Sequence, residues 1–310
     1  MKKLYAVLTV ICMAALVSCF SPWEGGDGTI TFVFSDNGGL GISPAGFTPF
    51  NTGYNSYEIR LTGPGGIELR ETVTLSAEPG MSREVRIAVT PGDWIVSVRE
   101  FFQGDVFERI GFSESVTVRA GQSVGAPVEM MTAVKVDSLD QLTDALTSSN
   151  YRVLVLTNGI DAMSDFSINN HITLISDGDF AIRRGDDYPY NDAFFLISNN
   201  GSLTLGMPGM SGSITIDGAG IEAANALIYI ESGTLVMHSG VTLTGGRTGI
   251  THPGSAVSIG DYGSFTMHGG TITGNQGGYG VVFVGFRRVF DRHGGTISGN
   301  MPNNVFFDGH

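Results

Sequence analysis

From residue 28 onward the chain alternates apolar and polar residues with a period of two. The alternation predicts strands at 29–34, 57–61, 68–73, 83–89, 94–98, 107–112 and 115–118, separated by turns such as Gly63-Pro-Gly-Gly66. Seven such strands in antiparallel order make a β-sandwich over residues 29-132. Trp94 could stack on a sugar ring if it were exposed, but its place in an alternating strand puts it in the core. The period changes once, at 138–147, where Leu139, Leu142, Ala145 and Leu146 share one helical face. Ser138 and Gln141 there have capping-box spacing and Asp140 sits in the first turn. An apolar strand at 151–156 follows, and after it short strands recur about three to a unit as far as 305–307.

Those later strands repeat. Phe265-Thr-Met-His-Gly-Gly-Thr-Ile-Thr-Gly-Asn275 returns 25 residues later as Phe290-Asp-Arg-His-Gly-Gly-Thr-Ile-Ser-Gly-Asn300. A unit this short cannot close a core alone and must stack on its neighbours. Aligning Leu203, Leu235, Phe265 and Phe290 gives steps of 32, 30 and 25 residues, so residues 133-310 hold six or seven coils. At about 4.8 Å per coil the stack is roughly 30 Å long. Met237 and Met267 should face inward, and His238, His268 and His293 should then form a column on the outside, about 4.8 Å apart. The last copy replaces Thr266-Met267 by Asp291-Arg292 and so puts charge where the stack stops.

A helix leading into the first apolar strand resembles the N-terminal cap of pectate-lyase-like right-handed β-helices. The Gly-Gly-Thr-Ile-Ser-Gly-Asn wording, over about residues 192–307, is similar to repeats in surface proteins of spirochaetes and some anaerobic bacteria, and to polymorphic outer-membrane proteins and adhesins. The segments at 90–98 and 115–121 resemble small Ig-like or prealbumin-like modules. These resemblances imply an all-β chain: an N-terminal Ig-like/prealbumin-like β-sandwich, then a short right-handed parallel β-helix with an N-terminal capping helix. The repeat is not an enzyme motif. Many such adhesins continue into a translocating β-barrel; with no such module before His310, a lipid is expected to serve as the anchor instead.

The start of the chain supplies that lipid site. Lys2 and Lys3 precede an apolar run at 4–17 of about 14 residues, shorter than the roughly 20 of a spanning helix, which ends in Leu16-Val-Ser-Cys19. Leu-Val-Ser-Cys looks like the lipobox of bacterial lipoproteins, in which the cysteine is acylated and becomes the new N-terminus. The resemblance implies a signal peptide at 1-18, lipidation of Cys19, a Gly-rich tether at 19-28 and a place in the bacterial cell envelope, anchored at the outer membrane or cell surface. Cys12 would leave with the signal, so the mature chain would hold no free thiol and no disulfide. The formal charge is −13; loss of Lys2 and Lys3 takes the basic residues from 17 to 15 against 30 acids, or −15. Such a charge disfavours nucleic acid as a partner.

Candidate chemistry is sparse. The cluster Arg183-Arg-Gly-Asp-Asp-Tyr-Pro-Tyr190 offers Arg183, Arg184, Asp186, Asp187, Tyr188 and Tyr190 as a loop that could grip a glycan. Asp186 and Asp187 are adjacent and would point apart on a strand, whereas glycosidase carboxyls must flank one bond. Arg184-Gly-Asp186 formally matches an integrin-binding tripeptide, a match short enough to arise by chance. A straight histidine ladder converges poorly on a metal, so no metal and no cofactor are expected. The expected role is non-catalytic adhesion or glycan binding, with glycans or host or neighbouring-cell surface proteins as partners. A polysaccharide lyase or glycoside hydrolase is the rival, and a structural envelope component the third reading.

Overall fold

The computed structural model describes residues 26–35, 39–40, 54–76, 82–102, 106–188, 193–249, 251–286 and 288–308. The expected signal peptide and Cys19 lie outside the described residues, as does Tyr190.

The described chain is all-β apart from one α-helix and one 3-10 turn. In its N-terminal half, Gly28–Ser35 pairs antiparallel with Ser82–Val89 and parallel with Ser123–Gly125. A second antiparallel set runs Glu68–Ser76, Tyr54–Thr62, Gly92–Phe102, Val106–Val118. The inward residues of both sets share one core, with Ile30 and Phe32 from the first and Ile59, Leu61, Trp94, Val96 and Val98 from the second. Each such side chain contributes about 1.5–3 kcal/mol on full burial. Trp94 is fully buried, and its indole N–H donates to the Thr90 carbonyl at 2.9 Å. The stretches 107–112 and 115–118, expected as two strands, form the single strand Val106–Val118. Its register against Gly92–Phe102 shifts between Trp94 and Val96, so the polar residues between the two apolar runs are absorbed in an irregularity rather than a turn.

The strand Glu129–Val136 joins the two halves. Its first part pairs antiparallel with Val106–Val118 (Arg109↔Thr132) and its second pairs parallel with Val153–Leu156 (Ala133↔Val153). The expected division between 132 and 133 therefore falls inside one strand, and a single sheet passes through it. Where the halves meet, Ile110, Ala133, Val153, Val155, Ile175 and Met207 form a separate small core. Arg99 pairs with Asp177 across this junction, and Arg60 donates to the Ser211 hydroxyl at 3.2 Å.

Beyond residue 150 every ladder is parallel. One column of strands carries the register Ile172↔Leu203↔Leu235↔Phe265↔Phe290, so the 32-, 30- and 25-residue steps read from the repeats are the actual ladder steps. A second column runs Ile160–Ala162, Asp179–Arg184, Ser213–Asp217, Val241–Thr244, Thr271–Ile272, Thr296–Ile297. A third links Phe166–Ile168 and Phe195–Ile197 to 228–230, 257–259, Val282–Val284 and Val305–Phe307. Alternate residues of all three columns meet in one core, among them Leu174, Leu205, Ile216, Leu243, Phe265 and Val282. The helix, Leu139–Thr147 (α1), adds Leu142, Ala145 and Leu146 to the same core. The capping box forms only in part. Ser138 makes no side-chain cap bond, while Gln141 Oε1 reaches back to accept from the Asp137 N–H at 3.0 Å.

Candidate functional site

The repeat motif itself is structural. In Gly-Gly-Thr-Ile-x-Gly-Asn the first glycine has no room for a Cβ: one at Gly294 would stand 2.4 Å from the His268 carbonyl oxygen. The second and third sit at positive φ, 85° and 67° for Gly270 and Gly274 and 76° and 68° for Gly295 and Gly299. The isoleucines Ile272 and Ile297 point into the core. Asn275 is buried and its side-chain oxygen accepts from the Gly246 N–H at 2.8 Å. Its amide donates to the carbonyls of Leu243 and Thr273, both at 3.0 Å. The best-repeated residues are thus spent on stacking.

The histidines do form a column. His238 and His268 stack with ring centroids 5.1 Å apart and 17° between planes, and His268 and His293 at 5.2 Å and 14°. Adjacent ring centres this far apart suit stacking better than sharing one ion at about 2.0–2.1 Å from each nitrogen. Among the described residues no group of three His, Cys, Asp or Glu is arranged to hold a metal. Arg292, at the register position of Met267, is exposed instead of buried and donates to the Gly294 and Gly295 carbonyls, at 3.3 and 2.6 Å.

The 183–190 segment is split by the fold. Arg183 and Arg184 end the strand Asp179–Arg184, and Tyr188 N–H donates to the Gly185 carbonyl at 3.1 Å, so 185–188 close a turn. Arg183 is exposed, with Nε 3.5 Å from Asp217, and Asp186 and Asp187 are exposed at the turn. Arg184 and Tyr188, expected on a ligand-gripping surface, lie inside at 1% and 6% exposure. Strand alternation turns Arg184 inward as it turns Arg183 out. Its guanidinium carbon sits 4.7 Å over the Tyr188 ring and 5.5 Å from Phe194, and Nη2 donates to the Ala226 carbonyl at 3.4 Å. Nε and Nη1 have no partner. Burial pushes the guanidinium below its ordinary value, opposed by Tyr188. The Tyr188 hydroxyl donates to the Ala193 carbonyl at 3.0 Å.

A different surface carries the exposed aromatic side chains. Among the described residues nine large hydrophobic ones are exposed, and six of them, Tyr262, Tyr279, Phe286, Val289, Met301 and Phe307, belong to the last two coils. On the third column Phe283 and Phe306, both half-buried, share the register position of the buried Ser258 and stack at 5.8 Å and 11°. Tyr279 joins them at 6.3 and 5.6 Å. At the next corner Arg288 donates to Asp261 at 2.6 Å and lies 5.9 Å from the ring of Tyr262, which is 82% exposed. Gly285 bridges the two groups: a Cβ on it would stand 3.9 Å from Phe283 Cε1 and 3.5 Å from Arg288 Cγ. Nearby Tyr229 has its phenol pushed above the ordinary tyrosine value, first by burial and then by Glu231 and Asp261. The motif-based reading missed this surface because it lies outside the Gly-Gly-Thr-Ile-x-Gly-Asn motif, although Phe283 and Phe306 share one register position. The run Val281-Val-Phe-Val284 is apolar throughout, so no polar alternation marked Phe283 as outward.

Against known protein families, curated proteins and solved structures, the chain finds no match. Among the described residues no helix is long and apolar enough to cross a membrane.

Proposed function

We propose that this chain is a bacterial surface lipoprotein, similar to the spirochaete-type and polymorphic outer-membrane repeat proteins, whose stacked strands recognise glycans without cleaving them. In this reading Cys19 carries the lipid, residues 29–132 form an Ig-like sandwich spacer, and the parallel columns wind as a short right-handed β-helix with α1 as its cap. The junction strand then makes the spacer and the helix one continuous sheet, suited to holding a recognition surface clear of an envelope membrane.

The observation that carries the glycan reading is the concentration of exposed aromatic side chains on the last two coils. Aromatic faces beside a hydrogen-bonding pair suit sugars, whose rings have apolar C–H faces and polar edges. Elsewhere outward positions hold polar pairs, as in the His171 imidazole with the Ser202 hydroxyl (2.8 Å) and the hydroxyls of Thr234 and Ser264 (3.1 Å). The rival hydrolase needs two carboxylates flanking one bond and the rival lyase an Arg or Lys base beside cation-binding acids; the acidic pair Asp186-Asp187 sits at a turn beside the exposed Arg183. Two experiments test the proposal. Metabolic labelling with palmitate should mark the wild type and not Cys19→Ser. A glycan array probed with the purified chain, run beside an assay for new reducing ends and unsaturated uronates, should give binding without product. Unlabelled wild type removes the anchor, and turnover on any polymer removes the non-catalytic role.

A further inference from the structure

We infer that the strip running from Tyr279 through Phe283 and Arg288 to Tyr262 is the binding site, and that its ligand is a neutral oligosaccharide. The inference rests on the glycan-binding reading above and names its site and ligand class.

Three features select this ligand. The first is shape. The strip crosses the outer face along the Val282–Val284 strand, where the rings of Tyr279, Phe283 and Phe306 lie 5.6 to 6.3 Å apart, and Tyr262 adds a further ring beside Arg288. That suits several linked sugar rings rather than one. The second is chemistry. Tyr262, at 82% exposure, and Tyr279, at 48%, present ring surface, while the hydrogen-bonded pair Arg288–Asp261 supplies donors and acceptors for hydroxyl groups at one end. Sugar C–H groups pack on such rings, and the polar pair fixes orientation. The third is size and charge. Tyr262, Tyr279 and Phe286 together expose on the order of 350 Å² if a large aromatic side chain offers about 200 Å², well under the ~800 Å² that each partner of a standard protein interface buries. With a net charge of −13 the chain repels polyanions, so uncharged glycans are favoured over uronate-rich or sulfated ones.

The site also sits on a firm base. Phe283 is held by parallel pairing on both sides, to Ser258 and Phe306, with Val282, Val284 and Ile259 buried beneath, while the edge strand Val305–Phe307 is paired on one side only. A rigid platform keeps ring positions fixed before binding and lowers the ordering cost.

The test uses the full chain purified in detergent and four immobilised probes, cellohexaose, maltohexaose, mannohexaose and chitohexaose, read by biolayer interferometry. At least one should bind. On that probe Tyr262→Ala and Tyr279→Ala should each weaken affinity about tenfold, whereas Tyr262→Phe, which keeps the ring, should stay within about twofold of wild type. Both tyrosines are surface residues, and unchanged circular-dichroism melts will confirm that the variants fold. Wild-type affinity in both alanine variants overturns the site while leaving glycan binding in place. Binding only to acidic glycans on the wider array overturns the neutral ligand, and capture of a polypeptide with no glycan bound overturns both this inference and the reading beneath it.

Discussion

Asn300 Oδ1 accepts hydrogen bonds from both the backbone N–H of Asn275, at 3.0 Å, and its side-chain amide, at 3.2 Å, so the final residues of two successive repeats lock coil to coil. Asn275 is buried and also serves Gly246, Leu243 and Thr273. Replacing it by alanine strands several backbone groups, each costing about 1–3 kcal/mol when left unpaired in the interior. Asn275→Ala should therefore lower stability by about 3 kcal/mol in urea unfolding. Asn300→Ala, at a more open position, should cost about 1 kcal/mol. Equal costs would contradict a ladder anchored at Asn275.

The histidine column contributes by packing. The rings of His238, His268 and His293 stack in succession, 5.1 and 5.2 Å apart. His268→Ala removes both contacts and should lower the melting temperature by about 2 °C, on the order of 0.5–1 kcal/mol in a chain of this size. His293→Ala removes one contact and should cost about half as much. An unchanged melt in His268→Ala would show that the rings do not interact.

Arg184 gives an inverted prediction. A cation this buried, with two guanidinium nitrogens lacking a hydrogen bond, is expensive to keep. Arg184→Met fills the same space without the charge and should leave stability unchanged or raise it by about 1 kcal/mol. Arg184→Ala opens a cavity between Tyr188 and Phe194 and should cost about 2–4 kcal/mol. Strong destabilisation by methionine, measured in the same urea series, would mean that the guanidinium makes an essential polar contact.

Tyr229 sets an alkaline limit. Its phenol is raised by burial, Glu231 and Asp261, so the fold favours the neutral form. That support is fully present below the ordinary tyrosine value near 10 and is lost as pH rises through the elevated one. Tyr229→Phe cannot ionise. Its melting temperature relative to wild type should therefore rise between pH 9.5 and 11, and a constant offset would place the phenol in open solvent.

The parts of the molecule legible from sequence were those governed by period. Leu203, Leu235, Phe265 and Phe290 align in the ladders as they align in the repeats, because one inward position per coil must be apolar for the stack to close. The helical face of Leu142, Ala145 and Leu146 was visible for the same reason. What the period cannot express is which outward residue is covered. Arg184 reads as a surface cation until strand alternation and the Tyr188 and Phe194 rings enclose it. Val153, Val155 and Ile175 are buried on a face that elsewhere meets water, because the antiparallel half packs there. The alternating strands give way to the helix around 130–133, yet backbone pairing carries one strand straight through that point. The surface from Tyr262 to Phe283 lies outside the Gly-rich motif, and the apolar run 281–284 reads as core, so nothing in the pattern separates Phe283 from its buried neighbours.

The most direct test of the account is isothermal titration calorimetry of the wild-type chain with the best-binding hexasaccharide, followed by mass spectrometry of the recovered sugar. The account predicts saturable heat with one class of site, abolished or strongly weakened in Tyr262→Ala, and a hexasaccharide recovered intact. Shortened or unsaturated sugars, or no heat with any glycan, would contradict it.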